Sequence, residues 1–168
     1  ELNETRQISA IKPRQKRLTA FQDKIASLKF LDPACGSGNF LTETYLSLRK
    51  MENEVLSLMY GDQIMMGIAI NPIRVSIDQF YGIEINDFAA TVAKTALWIA
   101  ESQMMKQTED IVHMNLDFLP LKSYVNIIEG NALRIDWETV VPKRELNYIM
   151  GNPPFVGARL MDASQKSD

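Results

Sequence analysis

Two short stretches hold the residues best able to do chemistry, and each lies where the chain must turn. In Asp32-Pro33-Ala34-Cys35-Gly36-Ser37-Gly38-Asn39-Phe40, the two glycines permit a sharp turn and a close backbone approach, with no Cβ in a ligand's way. A nucleotide-like ligand suits such a turn. The dinucleotide fingerprint would place a third glycine at Leu41 for close helix packing, and leucine there weighs against a pyrophosphate. Glu84 closes the next apolar run and is placed to accept two hydrogen bonds from ribose hydroxyls. Nicotinamide and S-adenosylmethionine sites share that role, so Glu84 does not choose between them.

The second stretch is Asn152-Pro153-Pro154-Phe155. Two successive prolines remove two backbone donors and fix φ, which stiffens the loop around the Asn152 amide and the Pro153 carbonyl. Each of these oxygens can accept one N–H of a planar exocyclic amine, while Phe155 stacks on the attached ring. Alone, this tetrapeptide is equally well a turn after a strand. Paired with the glycine turn, it reads as a platform for an amino-bearing aromatic base.

The intervening pattern predicts the elements that position these groups. Leu18, Phe21, Ile25 and Leu28 recur at helical spacing, so residues 17–28 form an amphipathic helix. The first 29 residues carry seven basic and three acidic side chains, a locally positive segment best read as a solvated face rather than a contact to phosphate. A strand from Lys29 to Asp32 enters the glycine turn, and a helix follows over 41–59. Residues 61–76 break the period and form a loop or a small β-ribbon. A strand from Gln79 to Ile85 leads to an Asn86-Asp87 cap and a helix reaching about residue 105. Strands from Tyr124 to Glu129 and from Leu146 to Met150 follow a polar linker. Strands alternating with helices imply a parallel sheet, whose ligands bind beyond the carboxyl ends of the strands. All the singled-out residues fall at those ends.

Composition narrows the class. The 168 residues are 46% hydrophobic and 23% charged, as expected of one folded domain. No apolar run approaches the roughly 18–20 residues of a membrane span, so no membrane partner is expected. One cysteine and one histidine cannot build a disulfide or a three-ligand zinc site unaided, which points to a reducing, cytoplasmic setting and no metal. A net charge of −3 lacks the basic signature of an autonomous nucleic-acid binder. Cys35, the nine methionines, Trp98 and Trp137 read as packing residues, and His113 as a surface residue.

Taken in order, the Asp32–Phe40 turn and Asn152-Pro153-Pro154-Phe155 resemble the first and fourth motifs of the amino-methylating, S-adenosylmethionine-dependent DNA methyltransferases. Tyr81-Gly82-Ile83-Glu84-Ile85 resembles the family's second motif and Glu129-Gly130-Asn131-Ala132-Leu133 its third. The longer stretches, including Gly151 to Ala158, are most similar to large bacterial enzymes of restriction–modification or phage-defence systems. The resemblance implies an α/β, Rossmann-like fold and transfer of a methyl group to adenine N6, with S-adenosylmethionine as cofactor and no metal.

Position by position, it implies that Asp32, Pro33, Ala34, Cys35, Gly36, Gly38 and Phe40 hold the methionine part of the cofactor and that Glu84 holds the ribose. Ile85 would pack on the cofactor adenine, Asn131 would meet its edge, and Ala132 belongs to the same cofactor-binding set. Asn131 replaces the family's usual aspartate, which removes charge assistance. Phe155 stands where tyrosine is frequent, so stacking survives and a hydroxyl is lost. Asn152, Pro153, Pro154 and Phe155 would act on the target amine. Cytosine-N4, RNA and protein-glutamine methylation, a non-catalytic scaffold and a nicotinamide oxidoreductase are the competing readings.

The chain offers only about four of the family's seven strands and ends 13 residues after Phe155. It reads as a basic helix (1–28), a partial cofactor-binding core (29–160) and a disordered tail (161–168) of a larger enzyme. The fragment alone would be inactive, with double-stranded DNA recognised by a missing domain. The last strand would be an exposed edge prone to self-association.

Overall fold

The computed structural model describes residues 2–60, 71–113, 115–116, 126–154, 161, 163 and 166, with side chains in the first helix from Pro13 onward. Four parallel strands make one sheet: β1 (Phe30–Asp32), β2 (Phe80–Glu84), β3 (Asn126–Glu129) and β4 (Tyr148–Ile149). Their spatial order is β3-β2-β1-β4. Three long helices join them: α1 (Leu2–Ala26), α2 (Asn39–Tyr60) and α3 (Asp87–Val112). This is the incomplete Rossmann-like fold that the motif pattern implies. Of the loop or small β-ribbon expected over 61–76, residues 71–76 form no strand and 61–70 lie outside the described residues, as do residues 124–125 of the third strand and most of the tail.

The period-2 alternation of strand side chains explains the two-sided core. Phe30, Phe80 and Ile127 face one side and join Ile25, Leu41, Tyr45, Leu97 and Met104 from the helices. Leu31 and Ile83 face the other side, where Val141 is also buried and Ala132, Ile135 and Trp137 pack against them. The steps β1→β2→β3 run in one direction, so α2 and α3 share a face; the step back to β4 covers the opposite face. Rings bridge the strands, with Phe30 stacked at 5.2 Å on both Phe80 and Tyr148.

Several boundaries differ from expectation for physical reasons. α1 begins near residue 2 rather than 17, because its polar first half is helical without an apolar stripe and includes Pro13. α3 continues to Val112, and His113 is its C-cap at φ 51°, exposed as expected but not in a linker. Asn86 does cap α3, accepting the Ala89 N–H at 2.9 Å. β4 is shorter than predicted, at two residues, and stands at a sheet edge. Among the described residues, no helix is long and apolar enough to cross a membrane.

Behind the sheet's helical face lies a cluster of buried polar groups. Glu52 is fully buried and pairs with Arg49. It also accepts from Gln22 Nε2 at 2.7 Å, from the Arg74 N–H at 2.7 Å and from the Val75 N–H at 3.1 Å. Arg49 Nη2 donates to Thr108 Oγ1 at 2.7 Å, so the cluster ties α1, α2, α3 and the segment entering β2 together. Burial pushes the Tyr45 hydroxyl pKa well above its ordinary value.

Candidate active site

β1 lies between β2 and β4, so the chain reverses its direction across the sheet there, and the carboxyl ends of β1 and β4 flank the resulting crevice. The glycine turn leaves β1 at this point. The Cys35 N–H donates to the Ile83 carbonyl at 3.1 Å and the Gly36 N–H to Glu84 Oε2 at 2.8 Å, which fastens the turn to the tip of β2. Gly36 (φ 54°) and Gly38 (φ 80°) are left-handed, where a side chain is strained. A Cβ at Gly36 would meet nothing within 4 Å, so that turn presents bare backbone to open space.

Gly38 has the opposite surroundings: a Cβ there would lie 2.9 Å from Ala93 Cβ and 3.1 Å from Ala93 Cα. The close helix packing assigned to a third glycine in dinucleotide sites is met here by Gly38 against α3, while Leu41 is fully buried in the core. Gly38→Ala combines left-handed strain of about 1–2 kcal/mol with overpacking of about 1–3 kcal/mol, and should destabilise the domain by about 2–5 kcal/mol. Denaturant unfolding checks this, and an unchanged midpoint would contradict it.

Asp32 is 1% exposed and its Oδ1 accepts the Ala34 N–H at 3.0 Å. Burial raises its pKa, opposed by that hydrogen bond and helped by the nearby Glu84 charge. Cys35 is buried beside Gly82, and burial with the Asp32 and Glu84 charges pushes its thiol up to about 12. It is a packing residue, not a nucleophile, at neutral pH. Pro33 and Ala34 are half-buried, and Phe40 is exposed on the first turn of α2.

At the tip of β2, Glu84 uses one oxygen for Gly36 and the other for the Asn86 N–H at 2.9 Å. A carboxylate has about four acceptor positions, so two remain for a ligand. Ile85, next in the chain, is 68% exposed. β3 is stitched alongside by the Gly130 N–H donating to the Glu84 carbonyl at 2.8 Å, which brings Asn131 and Ala132 to the same end. Asn131 Oδ1 accepts the Leu133 N–H at 2.9 Å, so part of its acceptor capacity shapes its own turn.

β4 completes the arrangement. The Met150 N–H donates to the Leu31 carbonyl at 2.9 Å, and Gly151 (φ 148°) then passes so close to Asp32 that a Cβ there would lie 2.9 Å from Asp32 Cγ. Asn152, Pro153 and Pro154 follow, all exposed; Phe155 lies outside the described residues. The proline loop and the glycine turn thus leave adjacent strands at the same end of the sheet. The sequence motifs include Gly151 and Gly82, but the sequence alone assigns no role to either of them or to Ala93. A glycine directly before Asn-Pro-Pro was the available signal for the first; only tertiary packing reveals the other two. Among the described residues, no cluster of metal-ligating side chains occurs.

Comparison with known proteins agrees with this geometry. The family described as "MmeI, DNA-methyltransferase domain" matches residues 8–168. DNA methyltransferase A of Bacillus subtilis (strain 168) is 43% identical over 148 residues, which cover 86% of this chain and 16% of that protein. A solved structure of the Type IIL restriction-modification enzyme MmeI in complex with DNA superposes with a TM-score of 0.85 at 40% identity, covering 95% of this chain and 21% of that one. The chain therefore spans about a fifth or less of the length of these relatives. With the motifs in order, the sheet order as described and nearly the whole chain matched, this chain belongs to the MmeI DNA-methyltransferase domain family.

Proposed function

We propose that this chain is the cofactor-binding and amine-clamping part of an enzyme that methylates adenine N6 in DNA from S-adenosylmethionine, within a larger restriction–modification protein. The observation that supports this reading is the close approach of Gly151 to Asp32, so that the loop beginning with Asn152 leaves the sheet next to the root of the glycine turn. The similarity to an enzyme solved with DNA supports the nucleic-acid substrate.

The residues present suit the cofactor. Bare backbone at Gly36, spare acceptor capacity on Glu84 and the exposed apolar face of Ile85 line up along the tips of β1 and β2. The Asp32–Phe40 turn would hold the amino-acid part, Glu84 the ribose hydroxyls, Ile85 and Ala132 the adenine faces, and Asn131 its edge. When bound, S-adenosylmethionine supplies an electrophilic methyl group on a sulfonium.

The chain's own residues then act on the acceptor. Asn152 Oδ1 and the Pro153 carbonyl each accept one N–H of the target amine, which favours a pyramidal nitrogen and stabilises its developing positive charge. Two prolines hold these acceptors fixed, so little reorganisation is needed in the transition state. Orienting the target amine toward the methyl donor that the glycine turn would hold provides the remaining proximity advantage. The adenine must leave the duplex stack, at a cost of a few kcal/mol, and stacking on Phe155 offsets part of it. Base-sequence recognition belongs to parts of the protein outside this chain.

Methyl-labelled S-adenosylmethionine, supplied to the full-length protein with DNA that contains or lacks adenine, tests the reading after digestion to nucleosides. Label in N6-methyladenine is expected. Label confined to N4-methylcytosine, RNA or protein would overturn it, as would calorimetric binding of NAD in place of S-adenosylmethionine.

A further inference from the structure

We infer that Gly151 is a positioning residue that sets the gap between the amine clamp and the cofactor turn by resting on the Asp32 side chain, an inference that rests on the methyl-transfer reading above. A Cβ at Gly151 would lie 2.9 Å from Asp32 Cγ and 3.3 Å from its Oδ2, with Oδ1 closer still. Asp32 has nowhere to yield. It is 1% exposed, is anchored to the Ala34 N–H at 3.0 Å and belongs to the central strand β1. β4 has no freedom to slide either, because Phe30↔Tyr148 and Leu31↔Ile149 fix its register and the Met150 N–H is bonded to the Leu31 carbonyl. Any side chain at 151 must therefore be accommodated by the loop that follows, which begins with Asn152.

The contact joins the two halves of the site by the shortest route available. Asp32 is bonded to Ala34 at the root of the glycine turn, and Gly151 is one Cα step, about 3.8 Å, from Asn152. The Asp32 side chain thus acts as a spacer: the Oδ1 that accepts the Ala34 N–H and shapes the turn is also the atom nearest to Gly151, where it stops the clamp. Methyl transfer depends steeply on such spacing, since a displacement of about 1 Å can cost on the order of 10²-fold in rate. The cofactor contacts proposed for the turn and for Glu84 lie on β1 and β2 and do not include Gly151, so cofactor affinity should be insensitive to it.

A double-mutant cycle in the full-length protein tests this. Gly151→Ala should slow single-turnover methylation about 10²-fold while the Kd for S-adenosylhomocysteine changes by less than about threefold. In an Asp32→Ala background, which removes Cγ and both oxygens, the added methyl group has room, and Gly151→Ala should then cost at least about tenfold less in rate than it does beside Asp32, the remainder reflecting backbone strain at φ 148°. Equal losses in both backgrounds would reduce Gly151 to a strained backbone position and overturn the inference. So would a parallel loss of cofactor affinity. If Gly151→Ala does not fold, Asp32→Glu presses on the same contact from β1; a slowed single-turnover rate at saturating S-adenosylmethionine supports the spacer, and a rate retained at saturation overturns it. A wild-type protein that transfers no methyl group to adenine would instead overturn the functional reading, so the two failures are distinct.

Discussion

Asn152→Ala in the full-length protein should reduce methyl transfer by about 10²–10³-fold, the size of loss seen when one preorganised group that stabilises developing charge is removed. Asn152 stands exposed at the end of β4, whereas the proposed cofactor contacts stand on β1, β2 and β3. Its amide is not part of the bonding that fastens the glycine turn, which runs through Ile83 and Glu84. The loss should therefore fall on the chemical step, with cofactor affinity nearly unchanged. Single-turnover rates set beside equilibrium dialysis with S-adenosylmethionine measure the two separately. Equal losses in both would show that Asn152 supports cofactor binding and would remove it from the clamp.

Glu52→Ala should give the largest loss of stability. The carboxylate is fully buried and receives Arg49, Gln22 and the backbone N–H groups of Arg74 and Val75. Its removal leaves a buried guanidinium without its counter-ion and orphans several donors at once. Breaking a buried pair in this way costs about 3–5 kcal/mol. At roughly 2–4 °C per kcal/mol for a domain of this size, the transition midpoint should fall by on the order of 10 °C. Glu52→Gln retains an acceptor and should lose less. Scanning calorimetry of the full-length protein, read at this domain's transition, checks both; an Ala variant that melts like wild type would place the cluster outside the stability of the fold.

The strands were readable because each ends in glycine or polar residues that cannot continue an apolar run: Asp32-Pro33, Glu84 before Asn86, Glu129-Gly130 and Gly151-Asn152. Capping chemistry made the start of α3 readable for the same reason, since the Asn86 side chain needs only the local Ala89 N–H. The buried polar cluster was not readable. Arg49 and Glu52 sit three residues apart on a helix, a spacing that normally marks a solvated pair, and the groups that bond to them here, Gln22, Thr108 and the segment before β2, are distant in sequence. Gly151 was hidden similarly, because its constraint comes from Asp32, more than a hundred positions earlier. The first half of α1 lacks the apolar stripe on which helix recognition depends. The candidate site was legible by residue type, but its shared location depended on β4 pairing with β1 rather than with β3.

The most direct measurement is a structure of the full-length protein with S-adenosylhomocysteine and a DNA duplex containing its target adenine. The account predicts the cofactor along the tips of β1 and β2, its ribose on Glu84, and the extruded adenine's N6 within hydrogen-bond distance of both Asn152 Oδ1 and the Pro153 carbonyl. An adenine amine held by other groups, or a cofactor seated away from the Asp32–Phe40 turn, would contradict it.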